Sequence, residues 1–165
     1  MIYLDNSATT RPCPEAVEAT TNALTSGWGN PSSLYRFGIE ANDALRNARY
    51  KVAAALGAEP GRVFFTSGGT EADNWAIFGS IRRMGKRGKH IITTAIEHPA
   101  VLNCFKQLQS DGYEVTYLQP DVLGNISVES LKTALRNDTI LVSVMMVNNE
   151  TGAVMPIDKM AKLTH

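Results

Sequence analysis

Hydrophobic positions along the first third of the chain follow the spacing of helices. Between residues 39 and 56, apolar side chains recur at helical spacing, and Gly57 follows the last of them as a stop signal. Residues 14–24 predict a shorter helix after an extended start at residues 2–4, and a loop rich in Gly, Pro, Asn and Ser separates the two helical patterns. The pattern therefore predicts two helices before residue 57.

From residue 63 onward, short apolar runs alternate with helical patterns. The predicted strands cover residues 63–66, 90–95, 114–118 and 139–147, and the predicted helices cover residues 70–84, 99–110 and 128–136. Nearly continuous apolar runs such as TILVSVMMV are typical of parallel sheets that are buried on both faces. We therefore expect an α/β fold with a mainly parallel sheet and helices on both faces.

Composition narrows the class of protein. The 165 residues are 44% hydrophobic and carry 16 basic and 16 acidic side chains, which fits one sizeable core and favours neither an acidic partner, such as a nucleic acid, nor a basic one. No apolar run approaches the ~20 residues of a membrane span, and the N-terminus lacks a signal-peptide pattern, so we expect no membrane partner and a cytoplasmic location. Cys13 and Cys104 lack metal-ligand spacing, and no metal site is expected.

Unusual polar residues follow three of the four predicted strands. Residues 67–71 come after the first strand, residues 97–99 after the second and residues 148–152 after the fourth. Parallel strands end at the same edge of a sheet, and ligands of open α/β sheets bind beyond that edge. The sequence therefore predicts a ligand site built from these three junctions.

The first junction contains two adjacent glycines at the start of a predicted helix. Gly68 and Gly69 lack a Cβ, so an anion such as phosphate could approach the first helical N–H groups, and Thr70 adds a hydroxyl. The alternative is an ordinary turn in which Thr70 caps the helix and Asp73 completes an approximate capping box. The residues alone leave both interpretations open.

The other two junctions allow similar alternatives. His98 precedes Pro99 at a predicted helix start, where its ring could lie against an aromatic ligand, move a proton or simply cap the helix. Asn148 and Asn149 offer amide donors and acceptors at a strand end, but the NNETG segment would equally serve as a turn.

Five motifs carry a family resemblance. In their order and spacing, YLDNSATT, GNPSSLYRFG, TSGGTEADN, EHPAV and VNNETG resemble the N-terminal part of a NifS-like cysteine desulfurase, within the class V aminotransferase family of pyridoxal-phosphate enzymes. The resemblance implies the large domain of a fold-type I pyridoxal-phosphate transferase, incomplete at its C-terminus. It also implies that residues 1–15 form an N-terminal strip and residues 16–165 the N-terminal part of the cofactor-binding domain.

The resemblance implies roles for individual residues. Gly69, Thr70 and Glu71 match the segment that cradles the cofactor phosphate. His98 matches the catalytic histidine that stacks on the pyridine ring and assists proton transfer. Asn149 matches an asparagine near the cofactor's O3′ and the substrate carboxylate. The strip that passes close to the substrate is matched by Asn6, Ser7, Ala8 and Thr9.

For the whole enzyme, the resemblance implies conversion of L-cysteine to L-alanine, with the sulfur held as an enzyme persulfide for iron–sulfur cluster or thio-cofactor assembly. The family's Schiff-base lysine and sulfur-accepting cysteine have no match in residues 1–165, so this chain alone is expected to be inactive. The alternatives are a selenocysteine lyase, another class V aminotransferase and a non-catalytic subunit of a split enzyme.

Partners are expected on two grounds. An apolar strand at residues 139–147 with one unpaired edge would favour pairing with another chain. The resemblance implies a homodimer or a separate C-terminal half, and a sulfur-acceptor protein as a further partner.

Overall fold

The computed structural model describes residues 2–164. Contacts divide the chain into two compact units, Met1–Phe65 and Thr66–His165, and each unit is described by itself. The predicted boundary after residue 15 stays a prediction.

The first unit is helical. Helix α1 spans Pro14–Thr25 and helix α2 spans Arg36–Leu56, which confirms both predicted helices, and a short 3-10 helix follows at Pro60–Arg62. Gly57 ends α2 in the left-handed conformation, at φ 63°, which glycine adopts without strain. At Gly38 the chain packs so closely that a Cβ would lie 2.3 Å from the Ser33 carbonyl oxygen.

The second unit contains a three-stranded parallel sheet in the order β2-β1-β3. The strands are β1 (His90–Thr94), β2 (Glu114–Leu118) and β3 (Thr139–Val142). The helices are α3 (Gly69–Met84), α4 (Pro99–Ser110), α5 (Val128–Ala134) and α6 (Ile157–Thr164). His90 pairs with Glu114 on β2 and with Thr139 on β3, and a register shift follows between His90 and Ile91.

Helices cover both faces of this sheet. Ile91 belongs to one apolar cluster with residues of α3 and α4, such as Ile77 and Phe105. The next residue of β1, Ile92, belongs to a second cluster with Leu131 of α5 and residues of α6. Successive residues of a strand point to opposite faces, so two buried neighbours require cover on both sides. The predicted parallel sheet with helices on both faces is confirmed.

Two predicted strands differ from the structure. Residues 63–66 do not form a strand: Val63 has an extended backbone, but none of the described residues pairs with this segment. The strand predicted for residues 139–147 ends at Val142, although the Ser143 N–H still bonds to Ile92. The chain leaves the sheet there because the Met145 N–H donates to the Glu97 carboxylate instead of to a neighbouring strand.

Candidate functional site

Helices α3 and α4 begin at the same end of the sheet. Burial raises the pKa of both Glu97 and Cys104, which lie around the start of α4, and the negative charge of Asp73, near the start of α3, raises both further. At the other end of α3, a Cβ on Gly85 would lie 2.7 Å from the Tyr113 hydroxyl, just before β2 begins. The two helices therefore run parallel, and the positive ends of their dipoles both lie where β1 ends.

The start of α3 is open. Gly68 is the N-cap residue, and no side chain caps the helix. Among residues 2–164, no acceptor bonds to the N–H groups of Gly69, Thr70 or Glu71. A Cβ on Gly68 or Gly69 would meet no atom within 4 Å, and both glycines are exposed. Unsatisfied helical N–H groups beside open space suit the binding of an anion.

The capping interpretation of this turn named the wrong residues. Thr70 lies inside the first turn and Asp73 beyond it, because Gly68 occupies the N-cap position. Glu71 reaches back instead, and its carboxylate accepts from the Ser67 N–H at 2.6 Å and from the Ser67 hydroxyl at 2.8 Å. These bonds lower the pKa of Glu71. Because the Glu71 carboxylate is an acceptor, Glu71 can serve an anion only through its backbone N–H.

His98 caps helix α4. Its Nδ1 accepts from the Ala100 N–H at 3.1 Å, and its carbonyl accepts from Val101 and Leu102. The capping interpretation of this exposed histidine is therefore confirmed. Since Nδ1 is the acceptor, the neutral ring carries its proton on Nε2. The cap fixes the ring where β1 ends and leaves Nε2–H as a donor, so it is compatible with the predicted role at a cofactor.

The two adjacent asparagines have different surroundings. Asn148 is only 5% exposed, and its Nδ2 donates to the Ile96 carbonyl at 3.0 Å. Its Oδ1 accepts from the N–H groups of Glu150 and Thr151, both at 2.9 Å. Asn149 is exposed, and its one side-chain hydrogen bond among residues 2–164 donates to the neighbouring Glu150 carboxylate, at 3.0 Å. Asn148 therefore forms the turn, and the role of the exposed Asn149 at a cofactor or substrate stays a prediction.

Glu97 belongs to the site although no role was predicted for it. It is 7% exposed, and its Oε1 accepts from the Thr94 hydroxyl at 2.9 Å and from the Met145 N–H at 2.8 Å. Burial raises the pKa of this carboxyl. The only signal in the sequence is a single acid between an apolar strand and His-Pro, which does not reveal that the acid is buried.

The opposite end of the sheet holds a second histidine with no free ring nitrogen. His90 is 1% exposed, its Nδ1 lies 2.7 Å from the Thr139 hydroxyl and its Nε2 lies 2.9 Å from the Thr116 hydroxyl. Thr139 accepts from the Arg136 N–H and can donate its own proton to Nδ1, which leaves Nε2–H to donate to Thr116. Burial lowers the pKa of His90, in keeping with a neutral ring.

Apart from Asn149, the predicted substrate residues lie in the first unit. Asn6, Ala8 and Thr9 are exposed in a turn in which the Ala8 N–H donates to the Asp5 carbonyl at 3.2 Å. The Thr10 hydroxyl donates to the Asn6 carbonyl at 3.3 Å. Their role at a substrate stays a prediction.

Two further properties concern residues 2–164. No group of three or more His, Cys, Asp or Glu side chains within this range is arranged to hold a metal ion. None of the helices described combines the length and the apolar character that a membrane crossing requires.

Comparison with known proteins gives a consistent result. The family model "Aminotransferase class-V" matches residues 2–165. The cysteine desulfurase IscS of Methanosarcina thermophila is 49% identical over 162 residues, which cover 98% of this chain and 40% of that protein. A solved structure described as a NifS-like protein has a TM-score of 0.94 and 40% identity, over 98% of this chain and 44% of its own. One described as SspA in complex with cysteine has a TM-score of 0.91 and 36% identity, over 98% of this chain and 47% of its own. The chain spans less than half the length of these relatives.

Proposed function

The chain belongs to the class V aminotransferase family, and on that premise we propose that it forms the N-terminal part of a pyridoxal-phosphate-dependent cysteine desulfurase. The proposed reaction removes the sulfur of L-cysteine and leaves L-alanine. Bound pyridoxal phosphate supplies an electron sink for this chemistry. We propose the cytoplasm as its compartment, where the free thiols of Cys13 and Cys104 would stay reduced.

The open start of α3 is the observation that carries this proposal. Its three helical N–H groups have no acceptor among residues 2–164. A Cβ on Gly68 or Gly69 would meet no atom within 4 Å, so the space beside both glycines is open to a ligand. A phosphate there would accept from the Gly69, Thr70 and Glu71 N–H groups and lie at the positive end of the helix dipole. The residues present thus fit the phosphate of the cofactor.

His98 and Asn149 fit the ring of the cofactor. The cap to Ala100 holds the imidazole of His98 at the same end of the sheet and leaves its Nε2–H to donate or move a proton. Asn149 is exposed and offers an amide that can bond to a ring oxygen or to a substrate carboxylate. We assign His98 the stacking and proton-transfer role and Asn149 the polar contact.

Association with another chain is part of the proposal. On the side away from β1, strand β3 pairs with none of the described residues, so its backbone groups can accept a further strand. A homodimer, a separate C-terminal half and a sulfur-acceptor protein are the proposed partners. Sedimentation of the purified chain tests this, and a stable monomer at micromolar concentration would count against it.

Phosphate binding at α3 can be tested with two glycine variants. Gly69→Ala adds a methyl group that touches no chain atom within 4 Å but enters the proposed phosphate space. We expect the affinity for pyridoxal 5′-phosphate, measured by its absorbance change, to fall about tenfold, which is the size of one lost charged hydrogen bond.

The matched control for this experiment is Gly79→Ala, on the same helix and equally free of contacts. It should leave the affinity unchanged, while both variants fold as well as the parent, because alanine favours a helix over glycine. Equal affinity in the parent and both variants would contradict phosphate binding at the start of α3.

A further inference from the structure

Two hydrogen bonds connect the segments that carry His98 and Asn149. Glu97, the residue before His98, accepts from the backbone N–H of Met145 at 2.8 Å. Asn148, the residue before Asn149, donates to the backbone carbonyl of Ile96 at 3.0 Å. Each side chain thus reaches the main chain of the other segment, and we name this pair of bonds the clasp.

We propose that Glu97 and Asn148 are positioning residues that fix the separation of His98 and Asn149 through the clasp. This inference rests on the proposed function, because it assigns the clasp to the ring end of the cofactor site. Neither residue is placed in contact with the cofactor or the substrate. Each acts through the neighbour that follows it in the chain.

The surroundings of the clasp support a fixed geometry. The Thr94 side chain is fully buried, and its hydroxyl donates to the same Oε1 that accepts from Met145, so the Glu97 carboxylate is held from two sides. Asn148 is held likewise, since its Oδ1 accepts from the Glu150 and Thr151 N–H groups while its Nδ2 donates to Ile96. Removing either partner would leave a buried polar group without a bond, which costs more than the bond contributes.

The clasp joins the two segments beyond the point where the strands end. Strands β1 and β3 end at Thr94 and Val142, so the ladder that aligns them stops before both His98 and Asn149. Helix α4 begins directly after His98, but the loop that carries Asn149 is joined to no helix at that point. Other bonds of this loop, which include the Asn148 turn and the backbone bonds of the Val147–Val154 bridge, join residues 146–155 to one another and do not reach the segment that carries His98.

The test compares variants that keep or remove each bond. Glu97→Gln keeps an oxygen that can accept from both Thr94 and Met145, whereas Glu97→Ala removes it. Asn148→Asp keeps the oxygen that forms the turn but loses the donor to Ile96. Thr94→Val removes only the hydroxyl that donates to the Glu97 carboxylate. It therefore replaces Glu97→Ala in this test if Glu97→Ala does not fold.

Two ligands separate the ring end of the site from the phosphate end. Affinity of the full chain is measured for pyridoxal 5′-phosphate and for inorganic phosphate. We expect Glu97→Ala and Asn148→Asp to bind pyridoxal 5′-phosphate about tenfold more weakly and to bind inorganic phosphate as the parent does. Glu97→Gln should restore the parent affinity. Equal weakening for both ligands, or unchanged binding in folded variants, would overturn the inference.

A readout without cofactor separates this inference from the proposed function. In amide NMR spectra of the free chain, Glu97→Ala should shift the signals of Asn149, and Asn148→Asp should shift those of His98. If the parent binds phosphate but not pyridoxal 5′-phosphate, the proposed function fails while these cross-effects still support the clasp. If each variant shifts only its own segment, the clasp does not position the two residues.

Discussion

The two histidines on either side of β1 have opposite surroundings. His90, at the amino end of the strand, is 1% exposed, and both ring nitrogens bond to threonine hydroxyls of neighbouring strands. His98, beyond the carboxyl end, is exposed and uses one nitrogen to cap α4. The His90 ring connects β1 to both neighbouring strands, whereas the Nε2–H of His98 donates to none of the described residues.

The same contrast holds for the two ends of the sheet as a whole. At the amino end, Arg136 pairs with Glu114 and Asp138, and Lys89 lies over the Tyr113 ring, so charges meet partners within the unit. At the carboxyl end, the start of α3 presents N–H groups that no described residue accepts. We therefore expect the amino end of the sheet to contribute to stability, and we propose the carboxyl end for ligand binding; the following changes test this division.

Removal of the His90 ring should give the largest loss of stability. His90→Ala leaves a cavity between three strands and deprives the Thr116 and Thr139 hydroxyls of their partner. We expect the free energy of unfolding to fall by about 3 kcal/mol, measured by chemical denaturation. Phosphate affinity of the folded fraction should not change, and a loss of affinity would contradict the division between the two ends.

Adding one methyl group at each end of the sheet should distinguish a closely packed surface from an open one. A Cβ on Gly88 would lie 2.1 Å from the Asp138 carbonyl oxygen, whereas one on Gly69 meets nothing within 4 Å. We expect Gly88→Ala to lower the free energy of unfolding by about 2 kcal/mol, because backbone atoms must move. Gly69→Ala should not lower it at all. Similar losses in both variants would show that the α3 start is not open.

Loss of the His98 ring should have a smaller effect on stability. His98→Ala removes the cap on α4 and should lower the free energy of unfolding by about 1 kcal/mol. His98→Asn keeps a capping oxygen and should restore that stability. Both variants should bind pyridoxal 5′-phosphate more weakly than the parent. If His98→Asn binds it as the parent does, the ring has no role at the cofactor.

Acid should weaken the amino end through His90. Burial lowers the pKa of this histidine in the folded state, so the unfolded state binds the proton more readily. The stability contributed by the neutral ring is therefore present above the unfolded pKa of about 6.5 and is lost as the pH falls through the lower folded pKa. Denaturation measured between pH 7 and pH 5 should show this slope, and His90→Gln should lack it.

Arg136 should contribute least. Its pairs with Glu114 and Asp138 are partly exposed, and solvent screens them. We expect Arg136→Gln to lower the free energy of unfolding only slightly at low salt, and added salt should reduce this difference. A larger loss that persists at high salt would mean that the backbone N–H of Arg136, which supports Thr139, has also moved.

Local signals explain what the sequence predicted. Helices α1 to α5 were found within a few residues because their periodicity and their Gly and Pro ends are properties of neighbouring positions. The segment at residues 63–66 was assigned as a strand in error. A strand also needs a partner strand, and the residues of the segment do not show whether a partner is present. Polar residues that follow β1 and β3 placed the predicted ligand site at the carboxyl edge, and that site stays a prediction.

The parts that sequence could not provide depend on burial and on distant contacts. Asn148 and Asn149 are identical in type and adjacent, and only the structure shows that the first bonds to Ile96 while the second is exposed. Glu97 and Met145 are 48 positions apart, and nothing in either neighbourhood indicates that they meet. The same contact explains why the strand predicted for residues 139–147 ends early.

The central position of β1 in the sheet also sets the order in which the sheet can assemble. His90 pairs with Glu114 across α4, but its pairing with Thr139 closes a loop about twice as long. Local pairings tend to form first, so we expect β1, α4 and β2 to fold as an early unit and β3 to dock afterwards. The His90 ring then receives its Thr116 contact before its Thr139 contact. Its imidazole resonances, followed during refolding, would report the arrival of β3.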